Sequence, residues 1–173
     1  MSEPARLFLR QIKRLVFWPL EAALALSLFG AARLLPPAAS SGAMGAFFSA
    51  IGPLTPWQGR ARRNLALAMP ELDAATQRRI LSGMWNNFGR VVGEFPHMRR
   101  IAASGRIQFA GLDNLQGLKS GAFLVGAHIG NWETGPYAVL SVGHKVAAIY
   151  RPLNNPLLSG LLERRQAHYG GDI

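Results

Sequence analysis

The chain has 173 residues, of which 49% are hydrophobic and 16% are charged, and it contains no cysteine. Its length allows one domain with a real core, and its charged fraction is below the about 25% usual in soluble domains. With a mean hydropathy of +0.12, this composition excludes a disordered or collagen-like chain and favours a globular domain in contact with a membrane. The lack of cysteine excludes disulfides, cysteine-ligated zinc and a thiol nucleophile.

The net charge of +10, from 19 basic and 9 acidic residues, indicates an anionic partner. Anionic lipid, an acidic protein and nucleic acid all meet this requirement, and the apolar N-terminal region favours lipid. Nucleic acid is the weakest of the three, because the basic residues are spread out and no aromatic-basic motif accompanies them.

An apolar segment of 17 residues, from Pro19 to Leu35, follows a basic start. As a helix it would measure about 25 Å, slightly less than the roughly 30 Å of a bilayer's hydrocarbon core. Basic residues lie on both sides, which favours a segment that lies in, or re-enters from, one face of the membrane. A buried core helix and a cleaved signal peptide are the alternatives, and Glu21 within the segment argues against cleavage.

The region 36–59, with its prolines, glycines and serines, is predicted to be a linker with one short helix near the membrane. A basic helix is predicted from Arg60 to Met69, where Pro70 stops it. Its basic side chains are interpreted as a solvated or lipid-facing surface: Arg60, Arg62 and Arg63.

The clearest helix begins after Asp73, a residue type favoured as N-cap, and ends at Pro96. Its apolar residues recur at steps of one, three and four positions, which trace one face of an α-helix. They are Ile80, Leu81, Met84, Trp85, Phe88, Val91, Val92 and Phe95.

Short apolar runs typical of strands dominate the rest of the chain. Strands are predicted at 107–110, 122–125 and 146–150. Helices are predicted at 112–118, at 132–142, where the helix joins the last two strands as a right-handed βαβ unit, and at 157–162 after the cap Asn155-Pro156. We therefore predict an α/β fold, with membrane-associated helices in 1–59 and the first part of a sheet domain in 60–173.

Two chemically active side chains, His128 and Glu133, lie five positions apart where the strand 122–125 gives way to a helix. Gly130 permits a sharp turn between them, and Asn131 can cap the helix. Glu133 would lie in the first helical turn, where the helix dipole favours a carboxylate. Ligands of open α/β sheets gather at such carboxyl ends of strands, so we expect a site here.

This pair suits transfer of a group to a hydroxyl. His128 would accept the hydroxyl proton as general base, worth roughly 10²–10⁴ in rate, while Glu133 holds the other imidazole nitrogen. No serine or cysteine nucleophile stands beside the pair, so direct transfer is expected, and the N–H groups at the helix start could bind a thioester oxyanion or a phosphate. A histidine that merely ends a strand is the structural alternative. A metal site would need a third ligand, for which His97, His144 and His168 have unsuitable spacing.

Arg151 directly follows the strand 146–150 and is expected on the same rim of the sheet as His128. A guanidinium at this place suits a phosphate, and a surface salt bridge is the alternative.

The chain resembles the late acyltransferases of lipid A biosynthesis, the lauroyl/myristoyl acyltransferase family, which is similar to lysophospholipid acyltransferases. The resemblance covers nearly the whole chain and rests on an ordered set of motifs. These are the apolar N-terminal segment, Arg63-Asn64-Leu65 with Met69-Pro70-Glu71, Asn87-Phe88-Gly89-Arg90 with Glu94, His128-Ile129-Gly130-Asn131-Trp132-Glu133, and Tyr150-Arg151-Pro152-Leu153-Asn154-Asn155-Pro156.

The resemblance implies an enzyme at the cytoplasmic face of the bacterial inner membrane, working in lipid A and lipopolysaccharide biosynthesis without a cofactor. Acyl carrier protein would donate the acyl chain, and a phosphorylated glycolipid would accept it. His128 and Glu133 would be the catalytic H-x4-E pair, and Arg151, Gly130 and Asn131 would bind substrate. Another phospholipid or glycolipid acceptor, and a non-catalytic basic protein of the membrane surface, are the alternatives.

Members of the family continue beyond the position of Ile173 with further strands that complete an acyltransferase-type α/β sheet. A sheet with so few strands and exposed edges would be poorly stable. We therefore expect the 173-residue form to be a fragment without turnover. Acylation of a lipid A precursor by the purified 173-residue chain, followed by mass spectrometry, would contradict this expectation.

Overall fold

The structure is a computed structural model that describes residues 11–149, 151–161 and 163. Its α-helices are α1 (Trp18–Leu34), α2 (Pro37–Ile51), α3 (Pro56–Ala68), α4 (Ala74–Glu94), α5 (Met98–Ala103), α6 (Asp113–Gln116) and α7 (Gly135–Ser141). Short 3-10 turns cover Gly52–Leu54, Phe95–His97, Trp132–Thr134 and Pro156–Leu158, and a π-helical turn covers Lys13–Phe17.

Two compact units make up the chain. The first comprises Met1–Gly30, Phe109–Ala122 and Gly135–Ile173, and the second comprises Ala31–Gln108 and Phe123–Thr134.

The predicted α/β sheet is wrong, because the described residues contain no strand. The segments 107–110, 122–125 and 146–149 are irregular, and Tyr150, the last residue of the third predicted strand, lies outside the described residues. Phe123 and Val125 are 92% and 91% exposed, where a doubly buried strand was predicted. A strand is stable only when a neighbour pairs with its backbone N–H and C=O groups, and these apolar runs do not pair with one another.

The N-terminal helix follows the predicted span closely. The helical stretch Arg14–Leu34 has 21 residues and is long and apolar enough to cross a membrane. Most of its apolar side chains, including Leu20, Leu24 and Leu34, are exposed to the surroundings. Pro19 cannot donate a backbone N–H to the carbonyl of Leu15, and the π-helical turn lies just before this proline.

The region 36–59, predicted to be mainly linker, is instead mainly helical, because α2 alone spans 15 residues. Helix α2 packs against α4 through small residues. Ser40 and Ser41 are buried at this crossing together with Met44 and Gly45. Small side chains let two helix backbones approach closely. Glycine and serine are also the residues typical of flexible linkers, so the composition alone indicated a linker here.

The predicted helix 73–96 is confirmed by α4. The Asp73 carboxylate accepts hydrogen bonds from the backbone N–H groups of Ala75 (2.8 Å) and Thr76 (2.9 Å) and from the Thr76 hydroxyl (2.9 Å). These bonds, led by that from the Thr76 N–H, lower the pKa of Asp73. The cap therefore stabilises the helix fully at pH values above the ordinary carboxyl pKa. This contribution is lost as the pH falls through the lowered pKa of Asp73.

Glycines of α4 set the distance between α2 and α4. A Cβ atom at Gly89 would lie 2.2 Å from the carbonyl oxygen of Met44, and one at Gly93 would lie 2.6 Å from that of Ser40. The Ser40 hydroxyl donates to the Gly93 carbonyl at 2.6 Å, which ties the same crossing together. Any side chain at these two positions would force the helices apart.

Substitution of Gly89 tests this close approach, with Gly83 of the same helix as matched control. Gly89→Ala should destabilise the protein by about 1–3 kcal/mol through overpacking. Gly83→Ala should stabilise it by about 1 kcal/mol, because a Cβ there meets nothing within 4 Å and alanine favours the helix. Urea unfolding followed by circular dichroism measures both, and equal effects would contradict the packing described.

Candidate active site

The segment from His128 to Glu133, here called the His128 loop, begins with a tight turn. The Ile129 N–H donates to the Ala127 carbonyl at 2.9 Å, and Gly130 has a φ of +56°. Such a positive φ favours glycine over other residues. The predicted sharp turn at Gly130 is confirmed, although no strand leads into it.

His128 is exposed at the start of this loop. Its imidazole ring contacts the indole of Trp132, with 5.0 Å between ring centroids and an interplanar angle of 59°. An exposed imidazole supported from one side can meet a substrate hydroxyl from the other.

Asn131 holds the second half of the loop. Its Oδ1 atom accepts the Glu133 N–H at 3.1 Å, and its carbonyl accepts the Thr134 N–H at 3.1 Å and the Thr134 hydroxyl at 2.8 Å. Asn131 thus caps the helical turn Trp132–Thr134, as the sequence predicted. The turn leads into α7, so the predicted helix 132–142 is present with a 3-10 start.

Helix α4 anchors the loop at two points. The Nδ2 atom of Asn131 donates to Oε2 of Glu94 at 2.5 Å, while the Ser41 hydroxyl donates to Oε1 of the same carboxylate at 2.7 Å. The Nδ2 atom of Asn87 donates to the Gly130 carbonyl at 3.0 Å. Both oxygens of Glu94 are therefore used, one by α2 and one by the loop.

Sequence reasoning missed Asn87 and Glu94 as positioning residues. They lie seven positions apart, which places them on one face of α4, about 10 Å apart along its axis. Both belong to the motif block quoted for the family resemblance. Polar residues at an interval of seven, outside the apolar stripe of the helix, were the signal available.

Glu133 is 5% exposed and lies in the turn Trp132–Thr134. The buried carboxylate of Glu133 and the exposed imidazole of His128 fit the two predicted roles, orientation and proton transfer. The hydrogen bond between Glu133 and His128 stays a prediction.

Arg151 lies in the first unit, where its Nη2 atom donates to Oδ1 of Asn154 at 2.7 Å. Arg151 and His128 were expected on the same rim of a sheet. The described residues contain no sheet, so this reason for placing them together no longer holds. Its phosphate-binding role now rests on the exposed guanidinium and on the resemblance.

Asn155 confirms the predicted cap, because its Oδ1 atom accepts the Leu157 N–H at 3.1 Å. It also has a second role that the sequence did not reveal. Its Nδ2 atom donates to the Trp18 carbonyl at 2.8 Å and to Oε2 of Glu21 at 3.2 Å. A buried asparagine thus joins the end of the described chain to helix α1 within the first unit. Of the other residues singled out from sequence, His168 and Leu162 lie outside the described residues.

Comparison with known proteins identifies one family. The model of the bacterial lipid A biosynthesis acyltransferases matches residues 9–173. No curated protein and no solved structure matches the chain.

Removal of the Glu94 carboxylate tests the anchoring of the His128 loop. Glu94→Ala removes the acceptor of Asn131, and a hydrogen bond to a charged group contributes about 1.5–3 kcal/mol. Amide hydrogen exchange across the loop should then accelerate by about ten- to a hundred-fold. Glu71→Ala, which removes an exposed carboxylate before α4, is the matched control. Unchanged exchange of the loop in Glu94→Ala would contradict the anchoring.

Proposed function

We propose a specific reaction for this chain, which belongs to the bacterial lipid A biosynthesis acyltransferase family. In this reaction a fatty acyl chain passes from the thioester of acyl carrier protein to a hydroxyl of a lipid A precursor. The net charge of +10 supports both partners, because the carrier protein is acidic and the acceptor is phosphorylated.

The observation that carries the proposal is the attachment of the His128 loop to helix α4. An exposed imidazole is useful for catalysis only when a rigid element holds it in place. Here the anchors at Gly130 and Asn131 fix the backbone on the C-terminal side of His128, while its ring stays accessible. Positioned general bases of this kind contribute roughly 10²–10⁴ in rate.

The chemical steps follow from these roles. His128 takes the proton of the acceptor hydroxyl as the hydroxyl oxygen attacks the thioester carbonyl carbon. The new C–O ester bond forms, the C–S bond breaks, and the imidazolium returns its proton to the leaving thiolate. The Glu133 carboxylate stabilises the transient imidazolium and orients the ring.

Arg151 would bind a phosphate of the acceptor. Its guanidinium is exposed and offers donors beyond the one used by Asn154. A planar fork of N–H groups suits a phosphate in two-point contact. The apolar helix Arg14–Leu34 supports a location at the inner membrane, with the reaction at its cytoplasmic face, where the acyl carrier protein is found.

Replacement of His128 in the chromosomal gene tests the reaction. His128→Gln removes the base while keeping a polar side chain of similar size, so acyl transfer should fall by roughly 10²–10⁴. Lipid A from the variant cells should lose the mass of one acyl chain in mass spectrometry. His144→Gln is the matched control, since the His144 ring contacts the Leu115 carbonyl at 3.1 Å and has no role in the proposed reaction.

The amount of protein in the membrane fraction must be the same in both variants. Deletion of the gene gives the reference. If the deletion removes one acyl chain from lipid A and His128→Gln, with normal protein levels, does not, His128 is rejected as the base. If the deletion itself leaves lipid A unchanged, a form without turnover or a non-catalytic protein of the membrane surface is favoured.

A further inference from the structure

An apolar groove of about 520 Å³ lies between helices α3 and α4. Its size falls in the range of about 300–1,000 Å³ that is usual for ligand sites. Arg60 and Asn64 are the polar side chains of its lining, and all the others are apolar or aromatic. The entire lining belongs to the second unit.

One wall of the groove is a row of three apolar residues of α4, each four positions from the next. Ile80, Met84 and Phe88 are 38%, 37% and 40% exposed, so the row presents apolar surface that nothing covers within the described residues. From Ile80 to Phe88 the helix rises about 12 Å. The groove is therefore an elongated slot rather than a round cavity.

A hydrogen bond and close packing hold the base of the groove in place. The Trp85 indole N–H donates to Oε1 of Gln58 at 2.7 Å, and a Cβ atom at Gly52 would lie 2.2 Å from the same indole. Phe88 packs edge-on against Phe48 at 5.2 Å between ring centroids. The slot is thus formed before any ligand binds, which lowers the entropic cost of binding.

The two ends of the groove differ chemically. The bond from Trp85 to Gln58 sets the beginning of α3 beside the later part of α4, so Arg60 lies toward Phe88 and Ala68 toward Ile80. The Arg60 guanidinium lies over the Trp57 ring at 4.8 Å. Asn87, the neighbour of Phe88 in sequence, donates to the Gly130 carbonyl. The cationic end is therefore the one near the His128 loop.

We infer that this groove binds the hydrocarbon chain of the acyl donor, with the polar end of the chain at Arg60 and the methyl end at Ala68. The inference rests on the proposed function. An alkyl chain has no polar group along its length, which matches walls whose side chains, apart from Arg60 and Asn64, are apolar or aromatic. A peptide strand or helix end would leave backbone N–H and C=O groups unsatisfied on the same walls. A single cation at one end complements a ligand with one polar head.

Quenching of tryptophan fluorescence by a brominated fatty acid tests the groove directly, because Trp57 and Trp85 line it. The 173-residue chain is placed in phosphatidylcholine nanodiscs and titrated with 12-bromododecanoic acid. We expect saturable quenching. Ala68→Phe fills the far end of the groove, and Ala66→Phe places the same side chain on α3 outside the lining.

Ala68→Phe should weaken binding of the 12-carbon probe about tenfold, the loss expected when about two methylenes are no longer buried. Binding of 8-bromooctanoic acid, which leaves the far end empty, should not change. Ala66→Phe should bind both probes like the wild type. Equal affinities of Ala66→Phe and Ala68→Phe for the longer probe would overturn the inference, as would linear, unsaturable quenching, which signals partition into the bilayer.

Arg60→Gln provides a second, independent test. It should weaken binding of the brominated carboxylate and leave binding of 12-bromododecanol unchanged, since the alcohol carries no charge. Equal losses for both probes would overturn the placement of the head at Arg60. His128→Gln should bind both probes normally. Failure of the groove therefore appears in quenching by the Ala68 and Arg60 variants, whereas failure of the proposed reaction appears in the lipid A of His128→Gln cells.

Discussion

The backbone contact between α2 and α4 is the constraint on which the second unit depends. At Gly89 and Gly93 the two helices approach so closely that a methyl group would overlap a backbone carbonyl of α2. Such close contact adds van der Waals attraction between the two helices. The Ser40 and Ser41 hydroxyls donate to the Gly93 carbonyl and the Glu94 carboxylate, so these polar groups keep hydrogen bonds where the crossing removes them from water. Because α4 is fixed in this way, the His128 loop and the apolar groove, which both use other faces of α4, have defined positions.

Helix α4 uses three faces for three purposes. The glycine face packs on α2, and the face with Asn87 and Glu94 holds the His128 loop. The row from Ile80 to Phe88 forms a wall of the apolar groove. At about 100° per residue, the loop face and the groove face are neighbours on the helix. On the proposed mechanism, this adjacency brings an acyl chain and the catalytic imidazole to the same end of one rigid element.

The elements that could be predicted from sequence are those governed by local rules. Asp73 and Asn155 act as caps because their side chains bond backbone groups only two or three residues away. Helix α4 and the apolar helix before Leu35 could likewise be recognised from the spacing and run length of their apolar residues, without knowledge of distant contacts. The predicted sheet failed because a continuous apolar run such as 122–125 indicates burial on two faces only when other strands pair with it. The anchors Asn87 and Glu94 were missed because their partners are 43 and 37 residues away in sequence.

The absence of a sheet from the described residues changes how His128, the proposed general base, is held. A strand would fix its backbone through a ladder of bonds on both sides, whereas here the residues before His128 are exposed and the residues after it are fastened to α4. The asymmetry leaves the imidazole supported by Trp132 at 5.0 Å and by the anchored turn behind it. In the proposed reaction the same ring meets first the acceptor hydroxyl and then the departing thiolate. A base fixed from one side and open on the other can serve both, because small rotations of its side chain reach each atom without moving the anchored turn.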